Sequence, residues 1–372
     1  MASPADGYSS PVGKTGPLRI CLIASSRFPI REPFAGGLEA HTFALAGELH
    51  RRGHVISVFA APGSRLGFPA DELGVSSFRQ SAAARADVGA PPQRWMEEHH
   101  AYLGLMLRLA SHGARDFDVV VDNSLHHLPV AMAPAVPVPM VTILHTPPLP
   151  WLESAVDVAG STGTFVAVSA AMSRAWAHAV PSTTIRNGVD PARWTPGPGG
   201  PDAVWSGRIA PEKAPHEALD AALLSGRAIT LAGPVMDRGY FDAEIGPRLG
   251  PRARYAGHLD HTALAQLVGA SGVALVTPTW DEPFGLVAAE AMLCGTPVAA
   301  YARGGLVEVV AHETGRLAGA DDVEGLALAV DAAAALDRVA VRAHAESVHG
   351  LSRMVDEYER LFGDMLSGQA AA

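Results

Sequence analysis

The sequence predicts an α/β protein of two Rossmann-like domains in series, each a doubly wound parallel sheet. Three observations lead there. The 372 residues exceed one ordinary α/β domain and suit two. Short β-rich runs alternate with helical patterns, once before residue 190 and again after residue 201, as in βαβ units. Between the two series, residues 191–201 are rich in proline and glycine, and 195–201 is the best linker segment in the chain.

The first series starts with a strand at 18–24 that ends in Ser25, Ser26 and Arg27. A loop then leads to Gly36 and Gly37, and a helical pattern runs over 39–52 to Gly53. Strands follow at 55–60, 119–122, 140–144 and 164–168, with a helix over 96–110. The second series has strands at 203–206, 228–232, 273–277 and 298–301, with helices at 215–224 and 286–293. A last helix over 351–366 spaces Leu351, Met354, Val355, Tyr358, Phe362 and Met365 along one stripe. That stripe needs a partner, and a return onto the first domain supplies one. The expected organisation is a flexible leader (1–16), a first domain (17–190), a linker (191–201), a second domain (202–350), the returning helix (351–367) and a flexible tail (368–372).

Composition removes several function classes. With 48% hydrophobic and 18% charged residues, the chain has material for two cores. A net charge of −10 argues against a nucleic-acid binder, whose affinity rests on neutralising phosphates. No run approaches the roughly 18 apolar residues of a membrane helix; the apolar stretch 128–144 is broken at Pro129, Pro134, Pro137 and Pro139. The leader lacks the apolar segment of a secretory signal. Two cysteines in apolar runs, Cys21 and Cys294, read as reduced core residues, so a cytoplasmic setting is expected.

Ligands of open α/β sheets bind outside the carboxyl ends of the strands, and that rule sorts the polar residues. Gly36 and Gly37 stand after the first strand and before a helix, where backbone N–H groups and the helix dipole favour an anion. Such a pair is more often a simple turn, and the loop before it is too long for a dinucleotide fingerprint, which leaves hydride transfer without its main support. Arg208 and Lys213 straddle the loop after the strand at 203–206, a pair of cations suited to a diphosphate whose charge grows as a leaving group. Glu282 lies in the loop after the strand at 273–277, and Glu290 about one turn into the next helix. The helix start at Phe284, Gly285 and Leu286 can hold phosphate between them. The helix around Glu290 is otherwise apolar nearly all round, so its carboxylate calls for a ligand or partner.

These residues carry a resemblance. Glu282-Pro-Phe-Gly-Leu-Val-Ala-Ala-Glu290, then Ala-Met-Leu-Cys-Gly-Thr-Pro-Val and Gly304-Gly305-Leu-Val-Glu308, resemble the retaining glycosyltransferases of family 4, which have the GT-B fold. Asn187-Gly-Val-Asp190, Gly207-Arg208, Lys213, Gly36-Gly37 and His145 match as well, so the likeness runs from Leu18 to Phe362. It implies that Glu290 holds the nucleotide ribose, Glu282 a donor-sugar hydroxyl, and Arg208, Lys213 and the Gly37 N–H the diphosphate, with His145 near the anomeric centre. It implies retention by front-face attack, in which the leaving phosphate oxygen helps take the acceptor proton. The implied partners are a UDP-, GDP- or dTDP-sugar and a hydroxyl acceptor, with no cofactor and no metal. The chain departs from the family at Ala214 and Pro215, where glycine usually follows the lysine, and at Pro283, where glycine is commoner.

The acceptor is expected on the first domain, with Glu39, His41, Asn123, His126, His127 and Trp151 as candidates by position. A small soluble or secondary-metabolite-like acceptor is preferred because no basic amphipathic face stands out. The alternatives are a membrane-associated transferase acting on a lipid or cell-envelope glycan, or an epimerase on the same scaffold. A phosphorylase lacks its lysine, since Lys14 and Lys213 are the only two in the chain. Asp116-Phe-Asp118 fits an Asp-x-Asp metal pattern but precedes a strand, at the end away from the site.

Overall fold

The structure, a computed structural model, describes residues 16–74, 78–160 and 163–370. The expected leader, apart from Gly16, and the last two residues of the expected tail lie outside the described residues.

Among the described residues, two parallel sheets form. The first contains β1 (Arg19–Ile23), β2 (Val55–Ala60), β3 (Asp71–Glu72), β4 (Val119–Asp122), β5 (Met140–Leu144), β6 (Thr164–Ala167) and β7 (Thr183–Thr184), in the order β3-β2-β1-β4-β5-β6-β7. The second contains β8 (Ala203–Ser206), β9 (Ile229–Ala232), β10 (Ala253–Tyr255), β11 (Val273–Val276), β12 (Val298–Tyr301) and β13 (Gly315–Ala318), in the order β10-β9-β8-β11-β12-β13. Both orders reverse direction once, between β1 and β4 and between β8 and β11. Those are the switch points where loops diverge and leave a crevice. The architecture is the expected doubly wound pair, the GT-B arrangement.

The nine inner strands carry the apolar runs that the sequence analysis reads as strands. The four edge strands β3, β7, β10 and β13 were not predicted. An edge strand pairs on one side and needs no continuous apolar run; β10 reads Ala-Arg-Tyr and β13 Gly-Arg-Leu-Ala. The helix predicted over 96–110 is longer, Gln93–Asp116, and its buried face is Ala101, Tyr102, Leu105, Met106, Leu109 and Gly113.

The segment expected to be a linker is packed. Gly197 N–H donates to Cys294 O at 3.2 Å and Gly199 N–H to Gly269 O at 2.9 Å, so its glycines permit close approach to the second sheet's helices. The chain returns beside its own outgoing path: Val189 N–H donates to His349 O (2.8 Å) and Leu351 N–H to Val189 O (2.9 Å). From there the helix Leu351–Ala370 buries Leu351, Met354, Val355, Tyr358 and Phe362, with Met365 partly buried. It extends past residue 367, so Gly368 to Ala370 are helical rather than tail. Arg52, next to the first helix, Gly37–Arg51, pairs with Asp356 and Glu359 on this helix, both at 2.6 Å.

A second tie joins the halves. The Glu308 carboxylate accepts the Ala170 and Ala171 N–H groups (2.9 and 2.6 Å) at the start of the helix Ala170–Trp176, and Ser169 Oγ donates to Pro283 O at 2.6 Å. A carboxylate at a helix N-terminus satisfies unpaired donors and suits the dipole. Asp118 accepts from the Arg19 backbone N–H (2.8 Å) and guanidinium (2.9 Å), and Asp116 accepts from Arg115 (2.9 Å), at the amino ends of the strands. The Asp-x-Asp carboxylates are therefore engaged with arginines, away from the crevice.

Candidate functional site

The loops at the two switch points line one cleft of about 1230 Å³ between the sheets. Gly36 caps the helix Gly37–Arg51 without a side-chain bond, and the Glu39 carboxylate accepts from the Gly36 and Glu39 N–H groups, which leaves the Gly37 and Leu38 N–H groups at the cleft. Some of the neighbours of this turn come from the opposite half. A methyl at Gly36 would sit 3.7 Å from Arg208 Cδ and 3.4 Å from Glu39 Oε2, and one at Gly37 would sit 3.1 Å from Leu286 Cδ1. Fold closure thus brings together Gly36, Gly37, Arg208 and Leu286.

Lys213 and Glu282 form an ion pair at 2.6 Å, although the family resemblance implies that they meet different parts of a ligand. The Trp280 Nε1–H donates to the same oxygen, Glu282 Oε2, at 3.0 Å, and the Lys213 ammonium lies 5.2 Å from the Trp280 ring centroid. Both donors converge on Oε2, which leaves Oε1 for a hydroxyl. Lys213 ends a short turn fixed by Thr277 Oγ1, which donates to the Lys213 and Ala214 carbonyls at 2.9 and 3.0 Å. Ala214, where the resemblance expects glycine, is fully buried with φ of +41°, a left-handed conformation uncommon for alanine.

The loop bearing Glu282 is held from below. Gly304 has φ of +54°, and a Cβ there would come within 2.4 Å of Glu282 O; the Gly305 N–H donates to that same carbonyl at 2.7 Å. Gly285 has φ of +97°, and any side chain would strike Leu306. Phe284 is buried, its ring edge-on to His349 at 5.8 Å, so it supports the loop from below while contributing to the cleft lining. Glu290 lines the cleft from the helix Leu286–Leu293 with no hydrogen bond or ion pair among the described residues, and burial raises its carboxyl pKa to about 7.

On the facing wall, His145 follows β5. Its Nε2 lies 2.7 Å from Asn123 Oδ1, while Asn123 Nδ2 reaches Thr42 Oγ1 at 3.5 Å and Thr42 donates to Leu38 O at 2.7 Å. That chain of donors sets the tautomer: His145 carries its proton on Nε2 and presents Nδ1 as an acceptor. Asn123, expected to meet an acceptor, is fully buried behind His145, because its amide is occupied in this chain. His41 meets His145 edge-to-face at 4.8 Å, and both its ring nitrogens are buried without a partner. Burial lowers the pKa of His41 to about 4 and holds His145 well below the usual value, with repulsion from His41 adding to the shift of His145. Glu39 is buried beside Gly36, and desolvation raises its carboxyl while Arg208 and Arg27 pull the other way. His126, His127 and Trp151 line the same wall.

The cleft also holds residues that sequence reasoning missed. Trp95, Glu98 and Tyr102 come from the helix Gln93–Asp116; Gly233, Pro234 and His258 follow β9 and β10. The spacing of Trp95, His99 and Tyr102 is helical and was available as a signal, but a helix begun at Met96 leaves Trp95 outside it. His258 follows an edge strand that the sequence pattern conceals. Among the described residues, no three His, Cys, Asp or Glu side chains converge as a metal site.

The fold and this cleft fit what the chain is similar to. Residues 35–193 match the profile of Glycosyltransferase Family 4, and residues 191–345 that of Glycosyl transferases group 1. A glycogen synthase of Mycobacterium tuberculosis is 30% identical over 356 residues, covering 84% of this chain and 85% of that protein. This chain belongs to glycosyltransferase family 4. It is a nucleotide-sugar-dependent glycosyltransferase of a retaining hexosyltransferase family. A D-inositol 3-phosphate glycosyltransferase of Mycobacterium marinum is 35% identical over 44% of this chain and 39% of its own length. In fold, the enzyme is similar to Anabaena HepE in complex with UDP and glucose, with a TM-score of 0.73 at 20% identity over 93% of this chain and 100% of the other. No described helix is long and apolar enough to cross a membrane.

Proposed function

We propose that this transferase moves a hexosyl group from a UDP-sugar to a hydroxyl of a small, non-lipid acceptor, with retention at the anomeric carbon. The observation that supports this reading is the convergence in one cleft of unpaired Glu290, the Lys213–Glu282 pair, Arg208 and the open helix N-terminus at Gly37. Glu290 accepts the ribose hydroxyls, and Glu282 Oε1 a donor-sugar hydroxyl. Arg208, Lys213 and the Gly37 N–H bind the diphosphate, so Lys213 is shared between a phosphate and a carboxylate. His145 Nδ1 accepts a further sugar hydroxyl.

As the bond from C1 to the phosphate oxygen breaks, charge gathers on the diphosphate, where these cations hold it. The acceptor oxygen bonds to C1 on the same face and passes its proton to the departing phosphate oxygen. UDP is preferred because HepE, of like fold, is described with UDP bound. A second reading, extension of a polysaccharide, is favoured by the likeness to glycogen synthase over 85% of that protein.

A thermal-shift screen of UDP-, GDP- and dTDP-sugars tests the donor, since bound donor raises Tm by mass action. UDP-sugars are expected to shift Tm, and Glu290→Ala to weaken UDP binding by roughly 30- to 100-fold through loss of charged hydrogen bonds. Normal UDP binding by that variant sinks the site assignment. Mass spectrometry of products from small alcohols, glycosides and glucans separates the two acceptor readings, and strong binding to anionic vesicles overturns the non-lipid choice.

A further inference from the structure

Beyond the donor groups, the first-half wall carries an aromatic column. Trp95 lies 5.0 Å from His99 at an interplanar angle of 16° and 6.4 Å from His127 at 13°. His99 and His127 are 5.7 Å apart, His127 and His126 4.3 Å, and His126 and Tyr102 4.3 Å, with every angle at or below 30°. The inner end is pinned to the loop after β1: Tyr102 Oη donates to Ala24 O at 2.8 Å and accepts from the Ser26 N–H at 2.9 Å. The outer end is open, with Trp95 44% exposed. Trp151, on the same wall and 46% exposed, is fixed by its Nε1–H donating to Leu125 O at 3.3 Å.

Two features of this wall select among ligands. Large indole faces are held rigid yet left in water, an arrangement that stabilises any ligand with a flat apolar face. The column itself also holds no carboxylate, ammonium or guanidinium group, although Arg27, Glu39 and Glu98 line the cleft near it. His126 Nδ1 accepts from the Leu128 N–H at 3.2 Å, so Nε2 carries the ring proton, and burial beside His127 and His99 keeps that ring neutral. Arg94, on the same helix, is engaged with Glu98 at 3.0 Å and the Arg27 carbonyl at 3.2 Å. A neutral imidazole offers one donor and one acceptor, which suits a hydroxyl better than a phosphate.

We propose that this column and Trp151 form the acceptor subsite, and that it takes an uncharged pyranose ring stacked by its apolar C–H face on the indoles, with hydroxyls reaching the imidazole nitrogens. The inference rests on the transferase reading of the cleft and names the acceptor class within it.

The test uses the full chain with a UDP-sugar donor and three probes: methyl glucosides, maltotriose and myo-inositol 1-phosphate. Transfer is expected to the neutral pyranosides and at least tenfold less to the phosphorylated polyol. Trp95→Ala and Trp151→Ala are expected to raise acceptor KM about tenfold, with donor KM changed less than twofold, while Trp95→Phe keeps most acceptor affinity. Thermal melts of each variant check folding. Unchanged acceptor KM in both alanine variants, or transfer only to the phosphorylated polyol, overturns the proposal and leaves the donor reading intact. If the wild type releases UDP from no UDP-sugar, with or without these probes, the transferase reading of the cleft fails and this inference with it.

Discussion

The second-half wall of the cleft sets four ionisable groups within one small region: Arg208, Lys213, Glu282 and Glu290. The first-half wall, facing them, sets His41, His126, His127 and His145, all held toward the neutral form. The second-half wall gathers its charge at one place and reaches into the fold for support. The first-half wall also carries Arg27, Glu39 and Glu98, but its aromatic column holds no carboxylate, ammonium or guanidinium group and is open at its outer end. A fixed array of charge suits a diphosphate, which is the same for every acceptor. A neutral aromatic surface suits a ligand that differs from enzyme to enzyme and is discriminated by shape and hydroxyl pattern.

The largest expected effect breaks the charged wall. Lys213→Ala removes a cation from the proposed leaving group and leaves the Glu282 side chain, 12% exposed, with Trp280 as its one remaining hydrogen-bond partner among the described residues. Turnover is expected to fall about 100-fold or more, measured as kcat for donor consumption. A loss under threefold means that Lys213 only positions Glu282 and that Arg208 carries the diphosphate.

An intermediate effect tests the comparison through pH, because the two walls titrate with opposite sign. The His41 pKa falls from 6.5 to about 4 on folding, so its contribution to stability is present above 6.5 and lost as pH falls toward 4. The Glu290 pKa rises from 4.5 to about 7, so its contribution is present below 4.5 and lost as pH rises through 7. His41→Leu is expected to lessen the acid loss by roughly 2 kcal/mol at pH 5, and Glu290→Gln to lessen the alkaline loss by about 1–3 kcal/mol at pH 8. Denaturant unfolding across pH checks both. Parallel pH profiles for the two variants and the wild type would dissolve the contrast.

The smallest effect sharpens the neutral wall. Asn123→Ala frees His145 Nε2 and with it the choice of tautomer, while touching neither charge nor the cleft surface. A fall in kcat of about tenfold is expected with donor KM little changed, and Asn123→Asp should restore the orientation in part by accepting from Nε2–H. Equal kcat in wild type and Asn123→Ala shows that burial alone orients His145.

Local signals reach one wall better than the other. On the charged wall, Glu282, Glu290, Arg208 and Lys213 lie on or beside inner strands whose apolar runs announce them, so each could be placed at a strand end by pattern. On the neutral wall, Trp95, His99 and Tyr102 come from a helix whose start was read three residues late, and they meet His126 and His127 only through tertiary packing. The same contrast holds in the sheets. Inner strands are buried on both faces and read as continuous apolar runs, while β3, β7, β10 and β13 are edge strands without that demand.

By itself the sequence determined the two α/β halves, the returning C-terminal helix and the charged groups of the second-half wall. These follow from apolar periodicity and from residues close together along the chain. Only the tertiary structure decided that Lys213 pairs with Glu282, that Asn123 stands behind His145 rather than before an acceptor, and that Gly36 faces Arg208. It also decided that five rings from two segments stack into one column. Each of these joins residues distant in sequence across a crevice, where no local propensity acts and only the closure of the two halves sets the geometry.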